Sequence, residues 1–147
     1  MSQAERISEI VACHRGREGA LLPMLHELQA AFGCVPVEAH KPICAALGIT
    51  AAELQGVIAF YEDFRAAPQG RHVIRVCRAE ACQAMGAEAM IARLERALGV
   101  RLGETVGAVT LEAVYCLGLC ACGPAAQVDD RLIARATPER LAEEVRA

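Results

Sequence analysis

"HVIRVCRAEAC", residues 72–82, is the stretch on which the reading of the fold turns. Its first six residues form a compact β-branched run, so the segment predicts a strand that delivers Cys77 to its end. A loop across four residues then brings a second cysteine, Cys82, back toward the first. Downstream, "AMGAEAMIARLERALGV" sets Ala87, Met90 or Ile91, Leu94 and Leu98 at helical spacing, with Gly99 as the stop. The chain then alternates Val109, Leu111, Ala113 and Tyr115 against Thr110 and Glu112, a second strand that again ends on a cysteine, Cys116. "AAQV", the turn "DD" and "LIAR" predict a hairpin, and Thr137 with Pro138 predicts the N-cap and first position of a short final helix.

Upstream of that stretch the pattern is helical. "SQAE" offers a capping box through Ser2 and Glu5, followed by Ile7, Ile10 and Val11 on one face. "LLPMLHELQAAFG" repeats Leu21, Leu25, Leu28 and Phe32 and can stop at Gly33. "PVEAHKPICAALG" starts at Pro36 and ends at Gly48, with Pro42 predicting a kink or a later start. Thr50 and Glu53 form a second capping box ahead of Leu54, Val57, Ile58 and Tyr61. "RAAPQG" reads as a linker. The expected organisation is a helical bundle over 1–66 and a β-α-β-β-α unit over 72–147, an α+β chain whose second part suits a thioredoxin-like layering of sheet and helices.

Composition narrows the function classes. The 147 residues are 54% apolar, enough to fold. A net charge of −3, 3% aromatic residues and no Trp leave neither the basic footprint nor the stacking platforms of a nucleic-acid binder. The N-terminal residues lack the basic and apolar regions of a leader, and no stretch approaches the length of a membrane span, so the expected location is the cytoplasm without direct membrane insertion.

Eight cysteines are many for a reducing compartment, where metal binding or redox work explains a cluster better than disulfides do. Cys13, Cys34 and Cys44 stand singly and read as packing. The other five fall in two groups, Cys77 with Cys82 and Cys116 with Cys120 and Cys122. Zinc ribbons favour two-residue gaps, and neither pair has one. Longer loops suit a binuclear iron-sulfur centre, because they wrap the bridging sulfides and offer them backbone N–H groups. Gly118 supplies a turn such a loop needs, and Gly123-Pro124 turns the chain away. A thiol-disulfide oxidoreductase would use C-x-x-C at a helix start, and the sequence contains none. A structural zinc module stays open as the second class. His14, His26, His40 and His72 lie apart and read as surface or satisfied side chains. Phe60, Tyr61 and Phe64 read as helix-face core or as an anchor for a larger partner.

"VCRAEAC" with "YCLGLCACGPAA" resembles the thioredoxin-like 2Fe-2S ferredoxin family, whose members include the small flavoprotein-module subunit of respiratory complex I, hydrogenase counterparts, and the gamma subunit of NAD-dependent formate dehydrogenase. "LLPMLHELQAAFGCVP" and "VIAFYEDFR" extend the likeness into the helical part. The resemblance implies one 2Fe-2S cluster held by Cys77, Cys82, Cys116 and Cys120, with Cys122 a departure that leaves a spare thiol near the site. "CRAEACQAMGAEAM" and "CLGLCACGPAAQVDDRLIAR" look closer to the formate dehydrogenase gamma subunit than to complex I. It further implies an electron carrier with no catalysis of its own, seated beside a flavin- and NAD-binding subunit that has iron-sulfur clusters and beside a larger catalytic subunit. Arg78, next to the first ligand, is the expected source of positive charge that raises the cluster's potential.

Overall fold

The computed structural model describes residues 1–146, so Ala147, the last residue of the predicted second domain, lies outside the described residues. The chain forms two compact units, Met1–Pro68 and a second that starts at Gln69.

The first unit holds helices α1 (Gln3–His14), α2 (Leu21–Phe32), α3 (His40–Leu47) and α4 (Ala51–Phe60), with a 3-10 turn at Val37–Ala39. Both predicted capping boxes form. Ser2 Oγ accepts from the Glu5 N–H at 3.3 Å while the Glu5 carboxylate accepts from the Ser2 N–H at 2.6 Å. Thr50 and Glu53 repeat the exchange at 3.2 and 2.7 Å. These N–H donors hold both glutamates below the usual carboxylate range. Gly33 and Gly48 end α2 and α3 at φ 75 and 66, the left-handed conformation a helix stop requires. Of the kink or later start expected from Pro42, the later start is found: α3 begins at His40 after the 3-10 turn, and Pro42 falls in its first turn, where a backbone N–H has no intrahelical partner to lose.

Ile7, Ile10, Met24, Leu25, Leu28, Ile43 and Leu54 fill the core of this unit. The aromatic group divides: Phe64 enters the core, while Phe60 is 77% and Tyr61 42% exposed. His14 is buried, with Nε2 2.7 Å from a Glu27 carboxylate oxygen. Cys34 is buried, Cys44 half-buried and Cys13 exposed. Among the described residues no single helix is long and apolar enough to cross a membrane. One bent pair, Val37–Leu47 with Ala51–Phe60, matches a span by length and composition together, and its Ile43, Leu54 and Ile58 lie in the bundle core.

The second unit is a five-stranded sheet in the order β2-β3-β1-β4-β5, from β1 (His72–Cys77), β2 (Thr105–Val106), β3 (Val109–Val114), β4 (Ala126–Val128) and β5 (Arg131–Ile133). β1 runs parallel to β3 and antiparallel to β4. Helices α5 (Glu80–Ala84) and α6 (Ala87–Leu98) make the crossover between the parallel strands, and α7 (Pro138–Glu144) follows the hairpin. Ile74, Val76 and Leu111 from the sheet bury against Ile91, Leu94 and Leu141 from α6 and α7. β3 stops at Val114, short of the predicted Cys116.

The predicted linker is partly sheet scaffold. Gly70 N–H donates to Thr110 Oγ1 at 2.8 Å, and His72 N–H to the Ala108 carbonyl at 2.8 Å. A Cβ on Gly70 would fall 2.5 Å from the Ala108 carbonyl carbon and 2.7 Å from Val109 N, both backbone atoms. Gly70→Ala is therefore expected to push β1 from β3 and destabilise the unit by ~1–3 kcal/mol, measurable by urea unfolding; unchanged stability would show the strands can part freely.

Asp129, at φ 51 in the hairpin turn, faces His72 Nδ1 at 3.0 Å and accepts from the Val73 N–H at 2.8 Å. The His72 bond first, and the Val73 bond second, hold its carboxyl below the ordinary aspartate range. A carboxyl lowered on folding contributes stability above its unfolded value, ~3.9, and loses that contribution as pH falls through its folded value. Acid unfolding followed by circular dichroism should show this component, and Asp129→Asn should remove it.

Candidate metal centre

The parallel register places the ends of β1 and β3 side by side, with Cys77 opposite Val114. Two main-chain bonds fix Cys77: its N–H donates to the Ala125 carbonyl at 2.9 Å, and the Arg78 N–H donates to the Val114 carbonyl at 2.8 Å. Cys82 returns on the one-turn helix α5 and not on the loop expected from sequence. That turn is closed by Gln83, whose N–H reaches the Ala79 carbonyl at 2.9 Å and whose side-chain amide reaches the Arg78 carbonyl at 2.7 Å. Cys77 and Cys82 are each 1% exposed, packed among Ala87, Ala125, Val114, Leu117 and Leu119.

Beyond β3 the chain bends sharply at Cys116, a non-glycine residue at φ 91. Such a conformation costs an L-residue ~1–2 kcal/mol and is maintained only by its surroundings. Gly118, at φ 75, continues the turn and donates its N–H to Cys116 Sγ at 3.4 Å. Cys120 opens the 3-10 turn Cys120–Cys122, and its Sγ lies 3.5 Å from that of Cys116. Both of these thiols are exposed. Cys122 is half-exposed, its backbone tied to Leu119 and Arg135. The Gly123-Pro124 peptide is cis.

The electrostatics of the four sulfurs are uneven. Burial pushes the Cys77 thiol up, but the N–H groups of Ala79, Cys116 and Leu117, together with Cys82, outweigh it and bring the thiol below its ordinary value. Burial raises Cys82, partly countered by the Ala125 N–H. Cys120 is raised because it shares a hydrogen bond with Cys116 and feels its charge. Cys82 responds to Cys77 and Cys116, and Cys120 to Cys116, Cys82 and Cys77, so the four predicted cysteines lie within electrostatic reach of one another.

This donor set is all sulfur, with backbone N–H groups aimed at it, as soft-metal thiolate sites require. Among the described residues no three His, Cys, Asp or Glu side chains close on one ion position. The sulfurs stand as two pairs, which suits two metal atoms better than one tetrahedral ion.

Arg78, the expected source of positive charge, pairs with Glu88. Its Nε and Nη2 bond the two Glu88 carboxylate oxygens at 2.8 and 3.1 Å, so its charge is answered at the start of α6. The sequence reading missed the main-chain donors Ala79, Leu117 and Ala125, which carry no side-chain signal. Gly118 and Gly123-Pro124 were the legible marks of that loop. A Cβ on Gly118 meets nothing within 4 Å, so Gly118→Ala should cost only the backbone term, ~1–2 kcal/mol. Thermal unfolding checks this, and an alanine variant as stable as the parent would remove the glycine's role.

Comparison with known proteins follows the same lines. The family model described as thioredoxin-like [2Fe-2S] ferredoxin matches residues 7–147, and that family carries one 2Fe-2S cluster. The chain is 35% identical to a NADH-quinone oxidoreductase subunit of Pseudomonas aeruginosa over 146 residues, 97% of this chain and 88% of the relative. The corresponding NADH-quinone oxidoreductase subunit of Escherichia coli K12 is also 35% identical, over 97% of this chain and 89% of the relative. The HndA subunit of the NADP-reducing hydrogenase of Solidesulfovibrio fructosivorans is 29% identical over 85% of this chain and 74% of its own length. Among solved structures, a chain of the NAD+-reducing [NiFe]-hydrogenase in the air-oxidized state matches with a TM-score of 0.68 and 21% identity, a likeness of fold. It covers 99% of this chain, which spans about a quarter, 24%, of that one.

Proposed function

This chain belongs to the thioredoxin-like 2Fe-2S ferredoxin family, and on that basis we propose that it is the electron-transfer subunit of an NAD-linked oxidoreductase complex, with Cys77, Cys82, Cys116 and Cys120 as ligands of its one 2Fe-2S cluster. The observation that carries the ligand assignment is the placement of Cys77 at the end of β1, beside the end of β3, from which the chain bends at Cys116 and brings its sulfur 3.5 Å from that of Cys120. When bound, the cluster supplies one-electron transfer. The chain's own residues bind and orient. Cys77 and Cys82 anchor from the buried side, the N–H groups of Ala79, Leu117, Gly118 and Ala125 stabilise thiolate charge, and Cys116 and Cys120 face outward. Cys122 is left as a spare thiol.

Catalysis then belongs to the partners: a flavin- and NAD-binding subunit with iron-sulfur clusters, and a larger catalytic subunit. The cytoplasm is the proposed compartment, since thiol ligands need reducing conditions. Resemblance in the two cysteine loops favours a formate dehydrogenase as the parent complex. The names of the relatives favour a quinone-reducing or hydrogenase complex at least as well. Purifying the chain with its native partners and assaying formate, hydrogen and quinone as substrates separates these parents.

The cluster itself is tested by absorption and EPR spectra of the anaerobically purified chain, oxidised and then reduced with dithionite. A brown protein whose visible bands bleach, with about one spin per chain after reduction, is expected. Cys77→Ser and Cys116→Ser should each abolish cluster incorporation. A colourless, EPR-silent protein with stoichiometric zinc would replace this reading by the structural module.

A further inference from the structure

The four clustered thiols differ in access. Cys77 and Cys82 are each 1% exposed and enclosed by small apolar side chains. Cys116 and Cys120 are both exposed, on a single turn, with their sulfurs 3.5 Å apart. A disulfide needs ~2.05 Å between sulfurs, a closure of ~1.5 Å from where the two sulfurs now stand. Reactivity toward oxidants follows access as well as thiolate character. A small oxidant therefore reaches the outer pair and not the inner one.

We propose that Cys116 and Cys120 are a site of reversible oxidative modification: in the chain before its cluster is loaded, a peroxide closes them into a disulfide while Cys77 and Cys82 remain thiols. The Cys116 sulfur, which already accepts the Gly118 N–H, attacks the peroxide, and the thiol's proton passes to the departing hydroxide. The O–O bond breaks, and Cys116 becomes a sulfenic acid as the first water leaves. Cys120 then attacks that sulfur, the S–O bond breaks, the S–S bond forms, and the second water leaves. Two thiols and one hydrogen peroxide become one disulfide and two waters, with two electrons passing from sulfur to oxygen. The consequence for loading rests on the ligand assignment above: the disulfide withholds half the donor set until a thiol reductant returns it.

The full chain, freed of cluster by a chelator under reducing conditions and then treated with one equivalent of hydrogen peroxide, provides the test. Alkylation and peptide mapping should show one cross-link joining Cys116 to Cys120, with Cys77 and Cys82 alkylated only after unfolding. Iron uptake from ferrous iron and sulfide should fall in proportion to the cross-linked fraction and return in full with dithiothreitol. Cys122→Ser should leave the cross-link intact, and Cys120→Ser should leave a Cys116 sulfenic acid that dimedone traps. Free Cys116 and Cys120 after peroxide, a link to Cys122, or a link between Cys77 and Cys82 would each overturn the proposal. A fully reduced chain that never takes up iron would instead sink the ligand assignment and leave the mapped cross-link standing.

Discussion

Everything at the thiol site depends on the register between β1 and β3. Side chains alternate faces along a strand, so a slip of one residue would turn Cys77 to the opposite side of the sheet and away from the turn that carries Cys116 and Cys120. The register is held on both faces. Ile74 and Leu111 are paired and fully buried on one, while Arg75 and Glu112 are paired on the other, with Arg75 Nε 3.2 Å from Glu112. At the entrance to the strands, Thr110 Oγ1 takes the Gly70 N–H and lies 2.8 Å from Thr105 Oγ1, so the same residue also joins the edge strand to the pair. The helices α6 and α7 bury against this frame and keep it from shearing.

Two opposing effects meet at the inner cysteines. Removing a thiol from water disfavours its charged form, and both Cys77 and Cys82 are affected. Donors decide which effect wins. Cys77 has three backbone N–H groups aimed at it and falls below its ordinary value, whereas Cys82 has one and stays above. The difference follows from position: Cys77 sits where the turns after β1 and β3 converge, and Cys82 is presented by the short helix α5. Small neighbours matter equally. Ala87 and Ala125 are buried beside the sulfurs, and Gly123 leaves 3.4 Å between its missing Cβ and Cys82 Sγ.

The frame was legible because its signals are local and periodic. The capping boxes, the glycine stops and the β-branched run of β1 each leave a pattern within a few residues, and each appears in the structure; β3 forms where expected, but its burial does not alternate, because Thr110 is buried beside Leu111 and Tyr115 lies exposed beyond the strand's end. α5 left none, since "EACQA" has too few apolar residues to show a period, and its single turn is held by Gln83 reaching back to the Arg78 carbonyl. β2 is two exposed residues long, too short for alternation. The partner of Arg78 left no mark, because adjacency to Cys77 in sequence says nothing about Glu88, which arrives from α6. The pairing of cysteines could be read from spacing, whereas the split into an inner and an outer pair depends on what covers each sulfur.

With Arg78 paired to Glu88, the polarity that lowers the inner thiols comes chiefly from main-chain N–H groups. Peptide dipoles are not mobile charges, so their effect is weakly screened by salt, unlike that of an exposed guanidinium. They also do not depend on which side chain the residue carries. Ala79 and Leu117 can change identity and still donate, provided the new residue keeps its N–H, whereas Ala125, buried beside the sulfurs, must also stay small. Proline is the one replacement that deletes the donor outright. The information that tunes this site is therefore written in the path of the backbone, and drift in the side chains along these loops leaves it in place.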